Sequence, residues 1–369
     1  ERRASWLELF YDLVFVVVVA EVAHYLAEHV TPVGVLGYAL LFLAVWWSWI
    51  SGTVYTDRFE TMDISYRLIV FLQMVPVAAM AIFAHDALGE GGPQFALAYV
   101  AARLLIIALW LRAGWHNPSF RPVSNRYAAG FGLSVALFVA SVFVEAPLRY
   151  LLWGLALTID LATPLLTVRQ QRALPPLSSS HLPERFGLFV IIVLGEAIIG
   201  VVRGVAEQES FSPLTGLLGL ALVFGLWWVY FDFVARRVPR PGMPQFVWTY
   251  LHLPLVMSIA AIGAGVLNVL TVAEDRSFRP EFLLMAGALA LALVAIGLLE
   301  MTLRRDANEP TDHRTSVLLK FGVAALAVGV GVLGTALGTN AFLLALLALL
   351  LVLMVYGAYV WFHQAATSA

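Results

Sequence analysis

The stretch HLPERFGLFVIIVLGEAIIGVV, residues 181–202, decides the class of fold, because it combines an apolar run of membrane-spanning length with charged residues. Glu184 and Arg185 lie near its start, and Glu196 lies near its centre. A charged side chain at the centre of a membrane span costs about 2.5–3.5 kcal/mol. The presence of Glu196 at the centre of a span therefore needs a structural or functional explanation.

The composition points to the same class of protein. Of the 369 residues, 61% are hydrophobic and 12% are charged, whereas soluble domains have about 45–50% apolar and about 25% charged residues. The chain has no cysteine, which excludes disulfides, zinc thiolate sites and cysteine nucleophiles. It also lacks a phosphate-binding glycine loop, a metal-ligand cluster of diagnostic spacing and a serine nucleophile elbow. We therefore expect no cofactor, no metal, no nucleic-acid partner and no enzymatic activity.

Windows of about 20 apolar residues recur along the chain, which predicts an all-α polytopic membrane protein with about twelve transmembrane helices. The run that begins at Trp6 lacks the features of a secretory signal, so we expect it to be the first of these helices. The predicted spans are 6–28, 33–55, 64–85, 95–112, 127–145, 148–168, 184–203, 212–235, 246–272, 281–303, 315–337 and 340–363.

The basic residues favour one orientation of these spans. With the N-terminus inside, four arginines fall outside, at 149, 203, 276 and 279. Sixteen fall inside, at 2, 3, 58, 67, 112, 121, 126, 169, 172, 185, 236, 237, 240, 304, 305 and 314. Cytoplasmic loops carry such an excess of arginine and lysine. Both termini are therefore expected to be cytoplasmic, and the two remaining cations, Arg103 and Lys320, fall within spans.

The longest predicted linker is RQQRALPPLSSSH, residues 169–181, which is expected to lie in the cytoplasm. Its adjacent prolines disfavour helix, and Ser180 is a candidate cap for the helix that follows. This linker divides the chain into two six-helix halves, residues 1–168 and 182–369. No extramembrane segment is long enough to build a core of its own.

The two halves open in the same way, with ELFYDLVFVVVVAE at 8–21 and ERFGLFVIIVLGE at 184–196. One offset of 175 residues aligns three polar pairs, which are Glu21 with Glu196, Tyr55 with Tyr230 and Asp57 with Asp232. These coincidences predict a duplicated unit. Because each unit has an even number of spans, the repeats would run parallel. Twelve helices without internal symmetry are the alternative.

Four charged residues lie deep within the predicted spans. Glu21 and Glu196 are 12 to 13 residues from the cytoplasmic end of their helices, roughly 18–20 Å deep. Arg103 is expected to neutralise Asp160 or Glu21, which leaves at least one carboxylate without an arginine. A proton or cation relay through Glu21 and Glu196, with His24 one turn from Glu21, is the functional interpretation. Interhelical hydrogen bonding that fixes helix register is the alternative, and it is slightly favoured for Arg103 and Asp160.

Acidic residues near the cytoplasmic ends of the spans have simpler explanations. Glu8 and Glu184 complement a helix dipole in a first turn. Asp12 lies on the face of Glu8, and about 180° around the helix from Glu21. For Asp57 and Asp232, solvated ion pairs with neighbouring arginines are about as good an explanation as a functional one.

Aromatic residues and a histidine near helix ends also have structural explanations. The tryptophans of VWWSWI (46–49) and LWWVYF (226–231) are expected to form an interfacial belt, with an aromatic-lined cavity as the alternative. His252, two residues before Pro254, is expected to hydrogen-bond a carbonyl that the proline frees.

The chain resembles the bacterial low temperature requirement A family over ELFYDLVFV at 8–16, HLPERFGLFVIIVLGE at 181–196 and LWWVYFD at 226–232. The resemblance covers essentially the whole hydropathy pattern and implies location in the bacterial cytoplasmic (inner) membrane. It supplies a link to growth in the cold but no biochemical activity. Ala197 stands where the family often has serine. The positions that match the family motifs are Glu8, Asp12, His181, Glu184, Arg185, Glu196, Tyr230 and Asp232.

The sequence thus predicts an ion- or proton-coupled secondary transporter with a midplane acidic site between two helical repeats. Glu21, His24, Glu196, Arg103 and Asp160 would form that site. A non-transporting membrane sensor or scaffold involved in cold adaptation is the alternative, and it would have a packed interior with paired charges. An intramembrane enzyme would need a nucleophile that the sequence does not offer. The partners expected are the lipid bilayer and a small solute or ion, and neither the solute nor the oligomeric state follows from the sequence.

Overall fold

Each long apolar run forms a helix, and proline occupies the first turn of several of them, where its missing N–H costs nothing. The computed structural model describes residues 4–59, 64–207, 212–235, 237–271, 279–304, 313–334 and 337–367. Arg2, Arg3, Arg236, Arg276 and Arg305, which entered the count of basic residues, lie outside these ranges. Within the ranges the fold is all-helical, apart from an isolated antiparallel bridge between Pro239 and Leu303.

Twelve α-helices follow one another in the described chain. The first six are α1 (Trp6–Glu28), α2 (Pro32–Phe59), α3 (Ile64–Ala84), α4 (Gly92–His116), α5 (Arg121–Ser141) and α6 (Leu148–Leu166). The second six are α7 (His181–Ala206), α8 (Pro213–Tyr230), α9 (Met243–Thr271), α10 (Pro280–Glu300), α11 (His313–Leu333) and α12 (Thr339–Thr367). A π-helical segment, Phe231–Ala235, continues α8.

Among the described residues, nine of these helices are long and apolar enough to cross a membrane. They are α2, α3, α4 and α7 through α12. This confirms a helical membrane protein, and the count of twelve spans stays a prediction. Of the other three, α1 carries Glu8, Asp12, Glu21 and Glu28.

The chain forms two units, which are described here one at a time. The first comprises Glu1–Tyr25 and Val33–Arg185, and the second comprises Leu26–Pro32 and Phe186–Ala369. In the first unit α3 packs on α4, α4 on α5 and α5 on α6; in the second, α9 packs on α10, α10 on α11 and α11 on α12, while α12 also packs on α8. A duplicated unit would show this shared order of neighbours, and the duplication itself stays a prediction.

The predicted linker contains a helical turn and a buried side chain. A short 3-10 turn, Gln170–Ala173, follows α6, and the side chain of Gln171 is buried. The next helix, α7, begins at His181, the last residue of the predicted linker. Its first backbone N–H donates to the hydroxyl of Ser178 at 3.0 Å, so Ser178 and not Ser180 supplies the side-chain cap.

Two helices of the second unit, α7 and α9, approach closely at glycines. A Cβ atom added to Gly200 would lie 2.5 Å from the carbonyl oxygen of Gly263, and one added to Gly263 would lie 2.7 Å from the Cα atom of Ala197. Small residues of this kind let membrane helices pack backbone to backbone. Ala197 therefore lies in a packed contact.

We expect Gly263→Ala to destabilise the protein by about 1–3 kcal/mol, because the new methyl group meets backbone atoms that cannot move independently. Gly287→Ala in α10 is the matched control, since nothing lies within 4 Å of its new Cβ atom. Thermal unfolding of the purified protein measures both. Equal unfolding temperatures for the two variants would contradict the close approach of α7 and α9.

The predicted orientation can be tested by labelling, because the chain contains no cysteine. Glu90 and Ser179 are both exposed, in loops that the prediction places outside and inside, respectively. A membrane-impermeant thiol reagent applied to intact cells should label Glu90→Cys and should label Ser179→Cys only after lysis. The reverse pattern would show that the orientation is wrong.

Candidate functional site

Within the first unit, α1, α2 and the first turns of α7 present polar residues at intervals of four, so that each set lies on one helix face. Glu8 and Asp12 lie on α1, and His181 and Arg185 lie on the first turns of α7. On α2 the corresponding residues are Trp49, Thr53 and Asp57. All seven side chains are buried. We call Glu8, Asp12, Asp57, His181 and Arg185 the acid–base cluster.

Arg185 joins the two carboxylates of α1. Its Nη1 atom lies 3.0 Å from Oε1 of Glu8, while Nε donates to Oδ2 of Asp12 at 3.1 Å and Nη2 donates to the other oxygen of Asp12. This planar two-point contact is the strong form of an arginine–carboxylate pair. The indole N–H of Trp49 donates to Oδ1 of Asp12 at 2.8 Å. Asp12 is thereby held in place by two helices.

The ring of His181 lies between two carboxylates. Nδ1 is 2.7 Å from Oδ1 of Asp57, and Nε2 is 3.2 Å from Oε2 of Glu8. A neutral imidazole has one N–H donor, and an ionised carboxylate only accepts. Two such contacts therefore require a further proton, either on the second ring nitrogen or on a carboxyl group. The ring of His181 is therefore placed to hydrogen-bond on both sides only when a further proton is present.

Backbone and hydroxyl groups position the ends of this arrangement. Ser5 and Glu8 form a capping box at the start of α1, in which the N–H of Glu8 donates to the Ser5 hydroxyl at 3.3 Å and the N–H of Ser5 donates to Oε2 of Glu8 at 2.8 Å. The N–H of Ser178 donates to Oδ2 of Asp57 at 2.8 Å. The linker thus contributes directly to the cluster.

Two expectations about these residues were wrong. Asp57 is buried and contacts His181, so it is not solvated, as one of its two explanations required. Arg58 still interacts electrostatically with Asp57, and its Nη1 donates to the carbonyl of Pro175 at 2.6 Å. Trp46, Trp47 and Trp49 are at most 4% exposed, so they do not form an interfacial belt. Trp227, at 38% exposure, remains compatible with one.

Arg103 pairs with Asp160, one of its two expected partners. Nη2 of Arg103 lies 3.1 Å from Oδ1 of Asp160, and the hydroxyl of Tyr99 donates to the other carboxylate oxygen. Nη1 donates to the Ser51 hydroxyl at 2.7 Å, and the guanidinium lies 4.1 Å from the ring centre of Phe131. Both charges are fully buried, and these contacts link α2, α4, α5 and α6. The role of the pair in a transport site stays a prediction.

The remaining members of the predicted site are divided between the two units: Glu21 and His24 belong to the first, and Glu196 belongs to the second. In the first unit, Glu21 is half-buried on α1, and the ring of His24 stacks on that of His85 at 5.4 Å. In the second unit, Glu196 is 8% exposed, next to the packed contact of Ala197 with Gly263. The role of Glu21, His24 and Glu196 as a proton or cation site stays a prediction.

The other family-motif positions lie outside the acid–base cluster. Glu184 is exposed, and its Oε2 accepts from the backbone N–H of Ala4 at 3.1 Å. Asp232 lies in the π-helical segment beside Gly357 of α12. The hydroxyl of Tyr230 lies 3.1 Å from Nε2 of His252, whose Nδ1 lies 2.8 Å from the carbonyl of Trp248. That carbonyl is four residues before the histidine itself, so the expected contact with a proline-freed carbonyl was wrong.

A second buried charge pair, in the second unit, was missed because Glu300 falls at the edge of a predicted span. Nζ of Lys320 lies 2.9 Å from Oε2 of Glu300 and 2.6 Å from the hydroxyl of Ser316. It also lies 3.5 Å from the ring centre of Phe233. The sequence did offer a signal for this pair, because Lys320 lies inside a predicted span and a buried lysine needs a nearby carboxylate.

A double-mutant cycle measures how strongly Arg103 and Asp160 are coupled in the folded protein. Arg103→Met should destabilise the protein by about 3–5 kcal/mol, because it leaves the Asp160 carboxylate buried without its cation. Adding Asp160→Asn should recover part of that loss, since the amide keeps a partner for Tyr99 and removes the charge. Thermal unfolding of the three variants measures this coupling. Strictly additive losses would contradict the pairing.

Comparison with known proteins identifies the family. Residues 3–363 match the family described as Bacterial low temperature requirement A protein. The chain is also similar to an uncharacterized protein of Rhizobium meliloti (strain 1021), with 30% identity over 326 residues that cover 80% of this chain and 74% of that protein. Together with helices apolar enough to span a bilayer, this match indicates a multi-pass membrane protein. The chain belongs to the bacterial low temperature requirement A family.

Proposed function

We propose that this protein is a proton-coupled secondary transporter of the bacterial cytoplasmic membrane and that the acid–base cluster binds the coupling proton. The observation that carries the proposal is the ring of His181, which has a carboxylate within hydrogen-bonding distance of each nitrogen. Such a ring exchanges a proton with its neighbours through small changes of distance. Histidine is the side chain that ordinarily changes charge between about pH 5 and 8.

The balance of charge supports a site that gains and loses a proton. Arg185 pairs with the carboxylates of Glu8 and Asp12. The Asp57 carboxylate contacts His181 and also interacts electrostatically with Arg58. Ionisable groups inside membrane proteins commonly mark ion or proton pathways. With His181 protonated the cluster carries a net charge of −1, and without that proton it carries −2.

The cluster has a natural place in the predicted topology. Glu8 and His181 lie at the starts of α1 and α7, and Asp57 lies near the end of α2. With the N-terminus inside, all three would be at cytoplasmic helix ends, where a proton exchanges with the cell interior. Glu21 and Glu196 keep their place in the proposal as further proton or cation sites nearer the midplane.

A non-transporting sensor or scaffold is the second candidate function. The arrangement of Arg103, Asp160 and Tyr99 favours it, because both charges there are fully buried and directly paired. The two candidates make different predictions for proton movement across a membrane.

The experiment uses proteoliposomes with a pH-sensitive dye in the lumen and outward gradients of different solute pools, such as amino acids, sugars, organic acids and inorganic cations. For at least one pool, the wild-type protein should move protons together with the solute. Absence of coupled proton movement with every pool would contradict transport and favour the sensor or scaffold.

Variants then test the assignment of residues. Asp57→Asn and His181→Gln should each abolish the coupled proton movement, because His181 then loses a carboxylate or the ring itself. Glu184→Gln is the matched control, since this glutamate is exposed on the same turn of α7 and should leave transport unchanged. Coupled proton movement retained in Asp57→Asn would show that the acid–base cluster does not bind the coupling proton. Coupled proton movement retained in Glu196→Gln would show that Glu196 is not required for it.

A further inference from the structure

A small cavity adjoins the acid–base cluster within the first unit. Its lining includes Glu8 and Arg185 of the cluster, together with Tyr11, Gly52 and Gln73. Its volume is about 10 Å³, which is close to the smallest space that holds one water molecule. A metabolite cannot fit in this space.

Gln73 of α3 brings an unsatisfied donor to this cavity. Its side chain is 5% exposed, and within the described residues its amide nitrogen has no hydrogen-bond acceptor. Leaving a buried amide donor unsatisfied costs about 1–3 kcal/mol, and folded proteins rarely accept that cost without a partner such as an ordered water. The donor of Gln73 therefore calls for an acceptor inside the cavity.

The shape of the cavity depends on Gly52 of α2. A Cβ atom at this position would lie 2.5 Å from the hydroxyl of Tyr11, so any larger residue would displace the tyrosine. The polar lining also limits the occupant. Glu8 accepts hydrogen bonds and Arg185 donates them, and the guanidinium makes the cavity unfavourable for a cation.

We propose that this cavity is a binding site for one water molecule, held by Gln73 and the acid–base cluster, and that a proton reaches the cluster through it. The water accepts from the amide of Gln73 and donates to the carboxylate of Glu8, which in turn contacts Nε2 of His181. The water would take up a proton from a hydronium ion of the adjoining aqueous phase and pass one of its own protons to the Glu8 carboxylate, so that it ends as neutral water. The relay part of this proposal rests on the proposed proton coupling, whereas the binding of water does not.

The first test measures the binding of water through stability. Gln73→Met keeps the length of the side chain but removes its amide, so it should lower the unfolding temperature of the purified protein by breaking the water bridge. Ser124→Ala is the control. It removes another buried polar group that has no hydrogen-bond partner within the described residues. Ser124 is not among the described residues that line the cavity. This substitution should leave the unfolding temperature unchanged or raise it.

An unfolding temperature of Gln73→Met equal to or above that of the wild type would overturn the water site, since an orphaned amide is better removed. If Gln73→Met does not fold, Gln73→Asn serves instead, with a smaller expected decrease. Replacing choline chloride by sodium chloride at equal ionic strength should have no effect. A sodium-dependent stabilisation that disappears in the Gln73 variant would assign the cavity to a cation and contradict the proposal.

The second test measures the relay in proteoliposomes. Coupled proton movement should become several-fold slower in Gln73→Met than in the wild type, and it should stay unchanged in Ser124→Ala. An unchanged rate in a less stable Gln73→Met protein would overturn the relay and leave a structural water. Absence of proton movement in the wild type would instead contradict the proposed function, while the stability test would still decide the water site.

Discussion

The placement of the His181 ring between the carboxylates of Asp57 and Glu8 is the arrangement on which the candidate site depends. The two nitrogen–oxygen distances are 2.7 and 3.2 Å, and all three groups are buried. Because each ring nitrogen faces a carboxylate oxygen, hydrogen bonds on both sides of a neutral imidazole would require one further proton. Arg185 compensates the charge of Glu8, and Asp12 holds Arg185 through a two-point contact.

The cost of burying these charges is offset by contacts from three helix faces. Arg185 contacts both carboxylates of α1, and Trp49 of α2 adds a neutral donor to Asp12. Ser178 caps α7 and also donates its backbone N–H to Asp57. Removal of one partner from such a network leaves a buried charge without compensation, which costs about 3–5 kcal/mol. Each of these contacts is therefore needed to compensate the buried charges.

Much of the fold follows from hydropathy, and part of the site does not. The apolar runs predicted the helices to within a few residues, and the polar residues inside them marked Arg103, Asp160 and Glu196 as unusual. Hydropathy gives the depth of a residue along a span, but it does not say whether its helix face turns toward lipid or toward other helices. For this reason the tryptophans at 46–49, which suit an interface as well as a core, were assigned to the wrong environment.

The partners of His181 could not be predicted from the sequence either, because Glu8 and Asp57 are 173 and 124 residues away from it along the chain. The interval of four residues between Trp49, Thr53 and Asp57 was the one signal that could have pointed to a shared polar face on α2. Family-motif positions helped more: four of them, Glu8, Asp12, His181 and Arg185, meet in the cluster. Tyr230 and Asp232 do not belong to it.

Infrared difference spectroscopy of the protein in lipid bilayers, recorded between about pH 5 and 8, tests the central claim most directly. The account predicts that a buried carboxyl or imidazole group of the wild-type protein gains and loses a proton in this range. This signal should disappear in Asp57→Asn and persist in Glu184→Gln. A wild-type spectrum without such a signal, or an identical signal in Asp57→Asn, would contradict the claim that the acid–base cluster binds the coupling proton.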